Sequence, residues 1–580
     1  MSEPKESSPA RSRSTSTSTS SSDSESHRSR SLAGSLRTRL RSLSNPGMDQ
    51  VDRVYSGRHL NDQSVYHSDG EHEDDGTSDT VQEVRNGVVN ERDVDLEKSD
   101  PSRPELERTK TGRSSHDSKL VTWDGPGDPD NPKNWSNKKK WAALITVSLF
   151  TFISPVSSSM VAPALPALAA NFKVTDEVVS QLMLSIFVLA YAVGPLFLGP
   201  LSEVYGRTIV LQLANLFFLV FNIGCAVSQT KVQIIVCRFF AGLGGSAPLA
   251  IGGGVIADCF RPEERGKGIA IYSPALGPIA GGFIAENTSW RWVFYSTSIT
   301  DALIQVMGLF FLRESYGPVI LRKRAEHIRQ VTNDETWQTE TEQLNRTLPE
   351  ILRSALIRPF RLLLTQPIVQ ALALFMAYIY GIMYLVLSTF PVLWTSKDYY
   401  NESTGIGGLN YISLGLGFWL GSQICAPLND RIYCRLKARN GGVGKPEFRV
   451  PLLFVGAFLI PTGLFIYGWT AQYRVHWIAP NIGAVLFGAG NIFAFQCIQT
   501  YFVDTYARYA ASALAAGAFL RSLAGFGFPL FAPYMYSALG YGWGNSLLGF
   551  VAVVIGTLAP VFLWRFGEAL RKKSTYAAGG

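Results

Sequence analysis

The chain of 580 residues is 46% hydrophobic and only 17% charged, with a formal net charge of +7 at pH 7. This composition excludes an ordinary soluble enzyme of this length, because soluble chains carry about 25% charged residues. The six cysteines have neither the spacing of a disulfide framework nor that of a zinc site, so we expect no metal. We expect no cofactor either.

Residues 1–120 form a region of low complexity. The first part is rich in Ser and Arg, as in SRSTSTSTSSSDSESHRSRS, and the stretch 63–97 is acidic with few bulky apolar residues. Such a segment cannot bury enough apolar surface to offset its ordering entropy, so we predict a disordered cytoplasmic tail. It has no apolar core followed by a cleavage site, and therefore it is not a secretory signal peptide. Its basic stretch RSRSLAGSLRTRLRS is expected to meet anionic lipid or kinases rather than nucleic acid.

Long apolar runs begin at Trp141. No charged residue occurs from there to Lys173, a distance that exceeds the roughly 20 residues needed to cross the hydrocarbon of a bilayer. Because nothing charged lies between Arg521 and Arg565, the last two runs are divided only by LGYGWGNS, 539–546. The pattern predicts an all-α integral membrane protein with twelve spans, at 141–165, 178–200, 208–229, 232–257, 267–286, 291–312, 367–393, 405–427, 449–470, 476–501, 509–536 and 542–565.

Lys and Arg collect on alternate loops and at both ends of the apolar region, whereas the other loops hold only scattered charges. Because basic loops are retained in the cytoplasm, both termini are predicted to be cytoplasmic. The polar linker 313–361 separates a first bundle of six helices with its pre-membrane segment, 121–312, from a second bundle with a short basic tail, 362–580. Within the linker, RKRAEHIRQ predicts an amphipathic helix on the membrane surface.

A short charged motif follows the second span and recurs after the eighth. GPLSEVYGR, 199–207, and APLNDRIYCRLK, 426–437, align without gaps, so that Glu203 meets Asp430. This recurrence predicts two related six-helix bundles. An acid and a base attract more strongly at the low-dielectric membrane boundary than on a wet surface, and we therefore interpret the motif as a latch that holds the cytoplasmic side shut. The alternative is that the charges only fix the topology. The latch residues are Gly199, Glu203, Gly206, Arg207, Asp430 and Arg431.

This motif and three further stretches resemble those of the major facilitator superfamily, in particular its twelve-helix drug:proton antiporters of fungi. CRFFAGLGGSA, 237–247, is similar to the motif of the fourth helix, GPIAGG, 277–282, to the antiporter signature of the fifth, and NPKNW, 131–135, to the pre-membrane stretch of fungal drug and polyamine exporters. Ser202 and Val204 depart from the loop pattern of the superfamily. The resemblance implies a part in proton transfer for Arg238, and an export function carried by Gly277, Pro278, Gly281 and Gly282.

The energy for transport must come from an ion gradient, because the chain has no phosphate-binding loop for ATP. Ionisable residues inside membrane spans are costly and are functional candidates by default. Arg238, Asp301 and Arg521 meet this condition. Asp301 lies half-way along the sixth span, where it either carries the coupling proton or faces an aqueous vestibule. Arg521 either binds backbone carbonyls or contacts substrate.

A substrate site is expected between the two halves near the middle of the membrane. The spans there offer aromatic and uncharged polar groups, which suit amphipathic organic compounds of varied shape. A polyamine would require several inward carboxylates, so polyamine export is the second alternative. Each candidate residue either contacts the substrate or is an ordinary core or lipid-facing residue. The candidates are Tyr378, Tyr380, Tyr384, Asn410, Tyr411, Asn491, Phe495, Gln496 and Arg521.

Together these features predict a proton-coupled antiporter that exports drugs, fungicides or toxic metabolites by alternating access, and not an enzyme. The expected partners are a small-molecule substrate, protons and membrane lipid, but no nucleic acid. We expect a monomer in the plasma membrane, with the vacuole as the alternative. GPIAGG disfavours a nutrient:proton symporter, and a sensor that does not transport has no need of the charged motif in both halves.

Overall fold

A computed structural model describes residues 119–125, 127–259, 276–343, 347–506, 509–574 and 576–577. The predicted tail therefore lies outside the described residues except for its last two, Lys119 and Leu120. The loop that holds Arg261 and Arg265 also lies outside them.

The first half is a bundle of apolar helices in which the predicted spans reappear with shifted ends. The fourth predicted span is interrupted at Ser246 and is seen as two helices. The fifth, 267–286, begins outside the described residues. The helices are α1 (Asn137–Ser159), α2 (Leu165–Asn171), α3 (Glu177–Tyr205), α4 (Arg207–Val227), α5 (Lys231–Gly245), α6 (Ala247–Cys259), α7 (Leu276–Asn287) and α8 (Arg291–Phe311).

The linker folds against the segment that precedes the membrane. It contains α9 (Gly317–Thr332), β2 (Trp337–Gln338), α10 (Glu340–Gln343) and α11 (Leu348–Thr365). Strand β1 (Lys119–Leu120) pairs with β2 in parallel. The helix predicted from RKRAEHIRQ is confirmed by α9. The prediction of disorder up to residue 120 is wrong for its last two residues, because the linker offers their backbone a strand to pair with.

The second half contains α12 (Pro367–Thr395), α13 (Thr404–Leu409), α14 (Tyr411–Arg439), α15 (Pro451–Gln472), α16 (Ile478–Thr505) and α17 (Ala510–Lys573). The helix α14 continues well beyond the predicted end of the eighth span at 427. The helix α17 covers both of the last predicted spans, and its backbone leaves helical geometry at Gly540, where φ is 69° and ψ is 177°. The division predicted at LGYGWGNS is thereby confirmed, since glycine is the residue that adopts positive φ without strain.

Nine helices among the described residues are long and apolar enough to cross a membrane. Lys231–Cys259 and Ala510–Lys573 each count as one, and the latter contains two of the predicted spans. The other two spans are α14 and α7. The helix α14 is less apolar, and α7 is short because the residues before it are not described. The chain is thus an all-α integral membrane protein built of two six-helix bundles.

Each half has its own apolar core. In the second half, Phe390, Trp394 and Tyr467 belong to one continuous buried cluster. In the first half, Phe187 and Phe294 lie in two separate clusters. Large apolar side chains also cover the outside of the bundles, as expected of helices that are hydrophobic all round and face lipid.

Among the described residues, the largest contacts between the two halves are made by two pairs of helices. The helix α3 packs against α17, and α7 packs against α13. In the second contact, the backbone N–H of Gly405 donates a hydrogen bond of 2.5 Å to Glu286 Oε2. On the side of the bundles where the linker lies, which we call the linker side, α11 contacts both α3 and α17. The boundary between the halves is therefore formed in part by α3, α7, α13 and α17.

Candidate functional site

The charged motif after α3 is held by an acid that follows the sixth span. Gly206 separates α3 from α4 with a φ of 108°, and a Cβ at this position would collide with the carboxylate of Glu314. Glu314 accepts hydrogen bonds from the backbone N–H groups of Arg207 at 2.9 Å and of Thr208 at 3.1 Å. The first N–H groups of a helix lack partners within it, so Glu314 caps α4. Only glycine fits the turn.

The side chain of Arg207 joins the ends of three helices. Its Nη1 donates to Ser202 Oγ at 2.7 Å, and its Nε lies 3.5 Å from Asp258 Oδ2 at the end of α6. The predicted partner, Glu203, is more distant at 3.8 Å and is 48% exposed. The guanidinium also stacks on the ring of Tyr316. Among the described residues, these contacts join the first bundle to the start of the linker, and none of them reaches the second half.

The second half repeats this arrangement around a different arginine. Arg449 Nη1 donates to Asp430 Oδ1 at 2.7 Å, and Arg449 Nε donates to Asp504 Oδ2 at 3.0 Å. The ring of Tyr433 stacks on the guanidinium. The predicted latch set contains Asp430 and Arg431, but the arginine that contacts Asp430 in the structure is Arg449. Because α14 runs on past the motif without a turn, the equivalent of Arg207 comes later in the sequence, immediately before α15.

The glycines of GPIAGG lie where α7 passes two neighbours at close range. A Cβ on Gly277 would lie 2.8 Å from Ser159 Oγ, and one on Gly281 would collide with the carbonyl oxygen of Met160. A Cβ on Gly282 would lie 3.2 Å from the Cα of Gly408 in α13. The stretch therefore packs against the end of α1 and against the other half of the molecule. Pro278 lies in the first turn of the described part of α7.

Arg238 is fully buried in α5. Its guanidinium donates to the carbonyls of Ser157 at 3.1 Å and Ser158 at 3.3 Å, and to those of Met183 at 3.3 Å and Leu184 at 3.2 Å. The last carbonyls of a helix have no partner within it, and Arg238 thus closes the end of α1 and fixes it to α3. The charge is met by peptide dipoles in these contacts.

Asp301 is fully buried in α8. Its Oδ1 accepts a hydrogen bond of 3.0 Å from Asn215 Nδ2 on α4. Its Oδ2 is buried and has no hydrogen-bond partner within the described ranges. A carboxyl group with one oxygen left over can hold a proton there, and the neutral form avoids the cost of a buried unpaired charge.

Four of the predicted pocket residues lie together beside the first half, and we call them the inter-bundle cluster: Tyr380, Tyr384, Phe495 and Arg521. The Arg521 guanidinium carbon lies 5.1 Å from the ring centroid of Tyr380 and 5.0 Å from that of Phe495. The rings of Tyr380 and Tyr384 are 5.0 Å apart. Across the boundary between the halves, Ser158 Oγ lies 3.3 Å from the hydroxyl of Tyr384.

Three other predicted pocket residues make contacts inside the second half. The hydroxyl groups of Tyr378 and Tyr411 donate to the carbonyls of Leu548 at 2.5 Å and Leu387 at 2.6 Å. Asn410 donates to Glu402 and accepts from Asn481. The structure places Tyr378, Asn410 and Tyr411 in the packing of that bundle, outside the inter-bundle cluster.

Asn491 and Gln496 lie on α16, the same helix as Phe495. Gln496 Nε2 donates to Ser422 Oγ at 3.2 Å. The side-chain atoms Asn491 Nδ2, Gln496 Oε1 and Arg521 Nε are all buried without a hydrogen-bond partner in the described structure. Buried polar atoms of this kind require water or a ligand, so this side of the second bundle can accept polar groups of a guest.

Sequence reasoning missed several members of these networks. The candidate residues selected from the sequence do not include Glu314, Arg449, Asp258 or Asp504, and the last two are distinguished in the sequence only by lying near span ends. A usable signal exists in the repeat, since Asp258 and Asp504 each end the fourth span of their half.

Comparison with known proteins places the chain among transporters. The family model of the Major Facilitator Superfamily matches residues 147–529. The efflux pump vrtL of Penicillium aethiopicum is 52% identical over 80% of this chain and 93% of its own length. The MFS-type transporter oryF of Aspergillus oryzae is 43% identical over 84% of this chain and 98% of its own. The efflux pump radE of Floropilus chiversii is 41% identical over 78% and 85%.

Among solved structures, the xylose transporter XylE from E. coli, in a partially occluded inward open conformation, has a TM-score of 0.53 at 19% identity over 74% of this chain and 98% of its own. A bacterial homolog of the human lysosomal transporter Spinster has the same TM-score at 14% identity over 76% and 99%. These two likenesses concern the fold.

Proposed function

We propose that this chain, which belongs to the major facilitator superfamily, is a proton-coupled efflux antiporter that exports amphipathic organic compounds by alternating access. Relatives that are named efflux pumps support the direction of transport. We place the protein in the plasma membrane as a monomer, with both termini in the cytoplasm, so that the linker side is the cytoplasmic side.

The inter-bundle cluster is the observation that carries the substrate class. Aromatic rings offer apolar contact to flat or hydrophobic compounds of varied shape. The polar atoms on α16 and α17 that have no partner in the described structure can form a few hydrogen bonds to such a compound. The charged group of the cluster is the cation of Arg521, which repels other cations. The cluster therefore favours neutral or anionic amphipathic compounds and argues against polyamines.

Asp301 supports proton coupling. It is a fully buried carboxyl group with one oxygen that has no hydrogen-bond partner among the described residues. Alternating access would expose this group first to one side of the membrane and then to the other. Arg238 holds α1 against α3 through backbone carbonyls, and so it transmits movement of these helices to the boundary where Ser158 meets Tyr384.

The two arginine networks support rocking of rigid halves. Arg207 joins the ends of α3, α4 and α6, and Arg449, which lies just before α15, joins Asp430 of α14 to the end of α16. Alternating access by rocking requires that each half moves as a unit while contacts between the halves change. We assign the charged motif to this rigidity.

Transport by a fungal strain tests the proposal. One fungal strain lacks the gene and a second strain overexpresses it. In both strains, the accumulation of unrelated toxic aromatic compounds and of spermine is measured with and without a protonophore. We expect overexpression to lower accumulation of the aromatic compounds but not of spermine, and the protonophore to abolish the effect. Efflux that persists unchanged with the protonophore would exclude proton coupling, and export of spermine alone would exclude the substrate class.

A further inference from the structure

A line of polar side chains runs between α4 and α8 in an otherwise apolar part of the first bundle. Asn215 Nδ2 donates to Asp301 Oδ1 at 3.0 Å and to Gln305 Oε1 at 2.8 Å. Gln305 Nε2 donates to the carbonyl of Gln212 at 3.1 Å. We call Thr208, Gln212, Asn215, Asp301 and Gln305 the polar seam.

The seam reaches the cytoplasmic end of α4. Residues 208, 212 and 215 follow one another at the spacing of one helix face, and the backbone N–H of Thr208 already donates to Glu314. The line of polar groups therefore leads from the acid at the helix end to Asp301 in the middle of α8. It lies inside one bundle and involves none of the residues of the inter-bundle cluster.

Four buried atoms of the seam have no hydrogen-bond partner in the part of the chain that the structure describes: Thr208 Oγ1, Gln212 Nε2, Gln212 Oε1 and Asp301 Oδ2. An unpaired buried polar atom destabilises the folded protein, and proteins normally satisfy such atoms with hydrogen bonds to water. All four atoms lie along a single interface, from the helix end to a carboxyl group, and each of them can form a hydrogen bond to a water molecule there.

Beyond Asp301, toward the outside, the same interface is closed by internal hydrogen bonds. Asn222 Nδ2 donates to Thr297 Oγ1 at 2.8 Å and to Ser298 Oγ at 2.9 Å, and Asn222 Oδ1 accepts from Ser157 Oγ at 3.2 Å. All of these side chains are buried. The polar interface is thus satisfied by protein on the outer side of Asp301 and unsatisfied on the cytoplasmic side.

The surroundings of Asp301 supply no ionic partner in the described contacts. The helices packed against α8 are α4, α1 and α7, and their charged residues lie at helix ends. The titratable side chains of these four helices are Lys138, Lys139 and Lys140 on α1, Arg207 and Cys225 on α4, Glu286 on α7, and Arg291 and Tyr295 on α8.

We infer that the polar seam is the cytoplasmic route of the coupling proton, and that this proton is bound by Asp301 at a place separate from the substrate. The inference rests on the proposed antiport. In the release step, the O–H bond at Asp301 Oδ2 breaks and the proton passes to a water molecule held by Gln212. The carboxylate remains, and the resulting hydronium ion gives up a proton to the next water toward Thr208. Substrate and proton then affect each other through the conformation of the bundle, without competing for one site.

Two variants of the full-length protein test the route, Gln212→Leu and Thr208→Val. Their matched control is Thr300→Val, since Thr300 is an exposed residue of α8 whose hydroxyl donates only to the carbonyl of Ser296 among its described contacts. Each purified protein is reconstituted in liposomes, and transport of a fluorescent aromatic substrate is driven by a pH gradient. Substrate binding to the same proteins is measured without a gradient.

We expect both seam variants to slow gradient-driven transport by roughly tenfold or more, as for loss of a proton-transfer group, while the substrate Kd and the behaviour of Thr300→Val remain as in the parent. Gradient-driven transport by the seam variants at the parent's rate would overturn the route. A proportional loss of substrate affinity would overturn the separation of the two sites. If a sodium gradient drives the parent and a pH gradient does not, the proposed proton coupling fails together with this inference, whereas a parent driven by pH with unaffected variants refutes the inference alone.

Discussion

At the scale of single residues, each half has one arginine and two carboxylates in contact on the linker side. Arg207 and Arg449 are 14% exposed or less at the side chain, and each is shared by acids from two other helices of its bundle. A largely buried arginine shared in this way attracts its acids more strongly than a surface arginine does, because solvent screens the charges less.

We predict that Arg207→Ala and Arg449→Ala leave membrane insertion intact and lower efflux by roughly tenfold, because each removal strands a partly buried carboxylate. Arg431→Ala, which changes an exposed arginine next to the second network, is the matched control and is expected to transport normally. Efflux per inserted molecule measures the effect. A large loss of efflux in Arg431→Ala with normal efflux in Arg449→Ala would contradict the pairing of Asp430 with Arg449.

The charge of Arg521 is expected to select the guest. In Arg521→Gln, loss of the cation should lower transport of anionic aromatic compounds by roughly tenfold, while cationic aromatic compounds of similar size are transported as well as before or better. Competition between an anionic and a cationic fluorescent substrate measures the change. An equal loss for both would indicate that Arg521 serves the packing alone.

At the scale of elements, the segment before the membrane, 119–130, is bound to the linker by paired strands and ion pairs, and we call this set of contacts the clasp. Beside the paired strands β1 and β2, Arg324 forms ion pairs with Asp124 and, at 2.8 Å, with the buried Asp128, and Lys119 forms one with Asp334 at 2.8 Å. Burial by itself would raise the pKa of Asp128, but the hydrogen bonds from the backbone N–H of Asp124, from Arg324 and from the N–H of Asp130 outweigh it. The pKa of Asp128 is therefore held below its ordinary value.

The clasp is predicted to open in acid. A carboxyl group with a lowered pKa in the folded state contributes stability that is complete above its ordinary pKa and is lost as the pH falls through the lowered value. We expect Arg324→Ala to expose residues 119–130 to protease at neutral pH, and the parent to do so only below about pH 4. Limited proteolysis across pH measures both. Equal resistance of Arg324→Ala and the parent at neutral pH would show that the strand pairing holds the segment without the ion pairs.

The contact of α7 with α13 is predicted to close the outer side. Gly282→Val adds atoms where the backbones of Gly282 and Gly408 nearly touch, and so it should hold the outer side open and slow transport by at least roughly tenfold. Gly253→Val is the matched control, because a Cβ there meets nothing within 4 Å. Labelling of a cysteine introduced at Ser158 from outside the cell should increase in Gly282→Val. Unchanged labelling together with normal transport would remove α7 and α13 from the gate.

At the scale of the whole molecule, the two charged motifs must lie on the same side of the membrane. Cys434, in the last turns of α14, is an exposed thiol. We predict that an impermeant maleimide modifies it in inside-out vesicles and leaves it unmodified in intact cells. A cysteine introduced at Tyr205, which is 51% exposed, should behave in the same way in a background without Cys434. Modification of the two positions from opposite sides would contradict the architecture of two related halves.

The amino-acid sequence alone determined the class of fold, because an unbroken apolar run can be satisfied only inside a bilayer and a helix is the local structure that pairs its own backbone there. It also determined the duplication, the division at the stretch containing Gly540, and the intramembrane charges Arg238, Asp301 and Arg521. These follow from composition and from local spacing, which do not depend on how the helices assemble.

The tertiary structure decided which of those residues meet. The sequence places Arg431 next to Asp430, yet α14 continues without interruption and Asp430 forms its ion pair with Arg449. Tyr378 and Tyr380 are two residues apart on α12, and they face a neighbouring helix of the same bundle and the boundary between halves, respectively. The seam around Asp301 arises only where α4 and α8 pack together. Contacts between distant segments depend on helix rotation and crossing, and a pattern read along one helix carries no information about the face its neighbour presents.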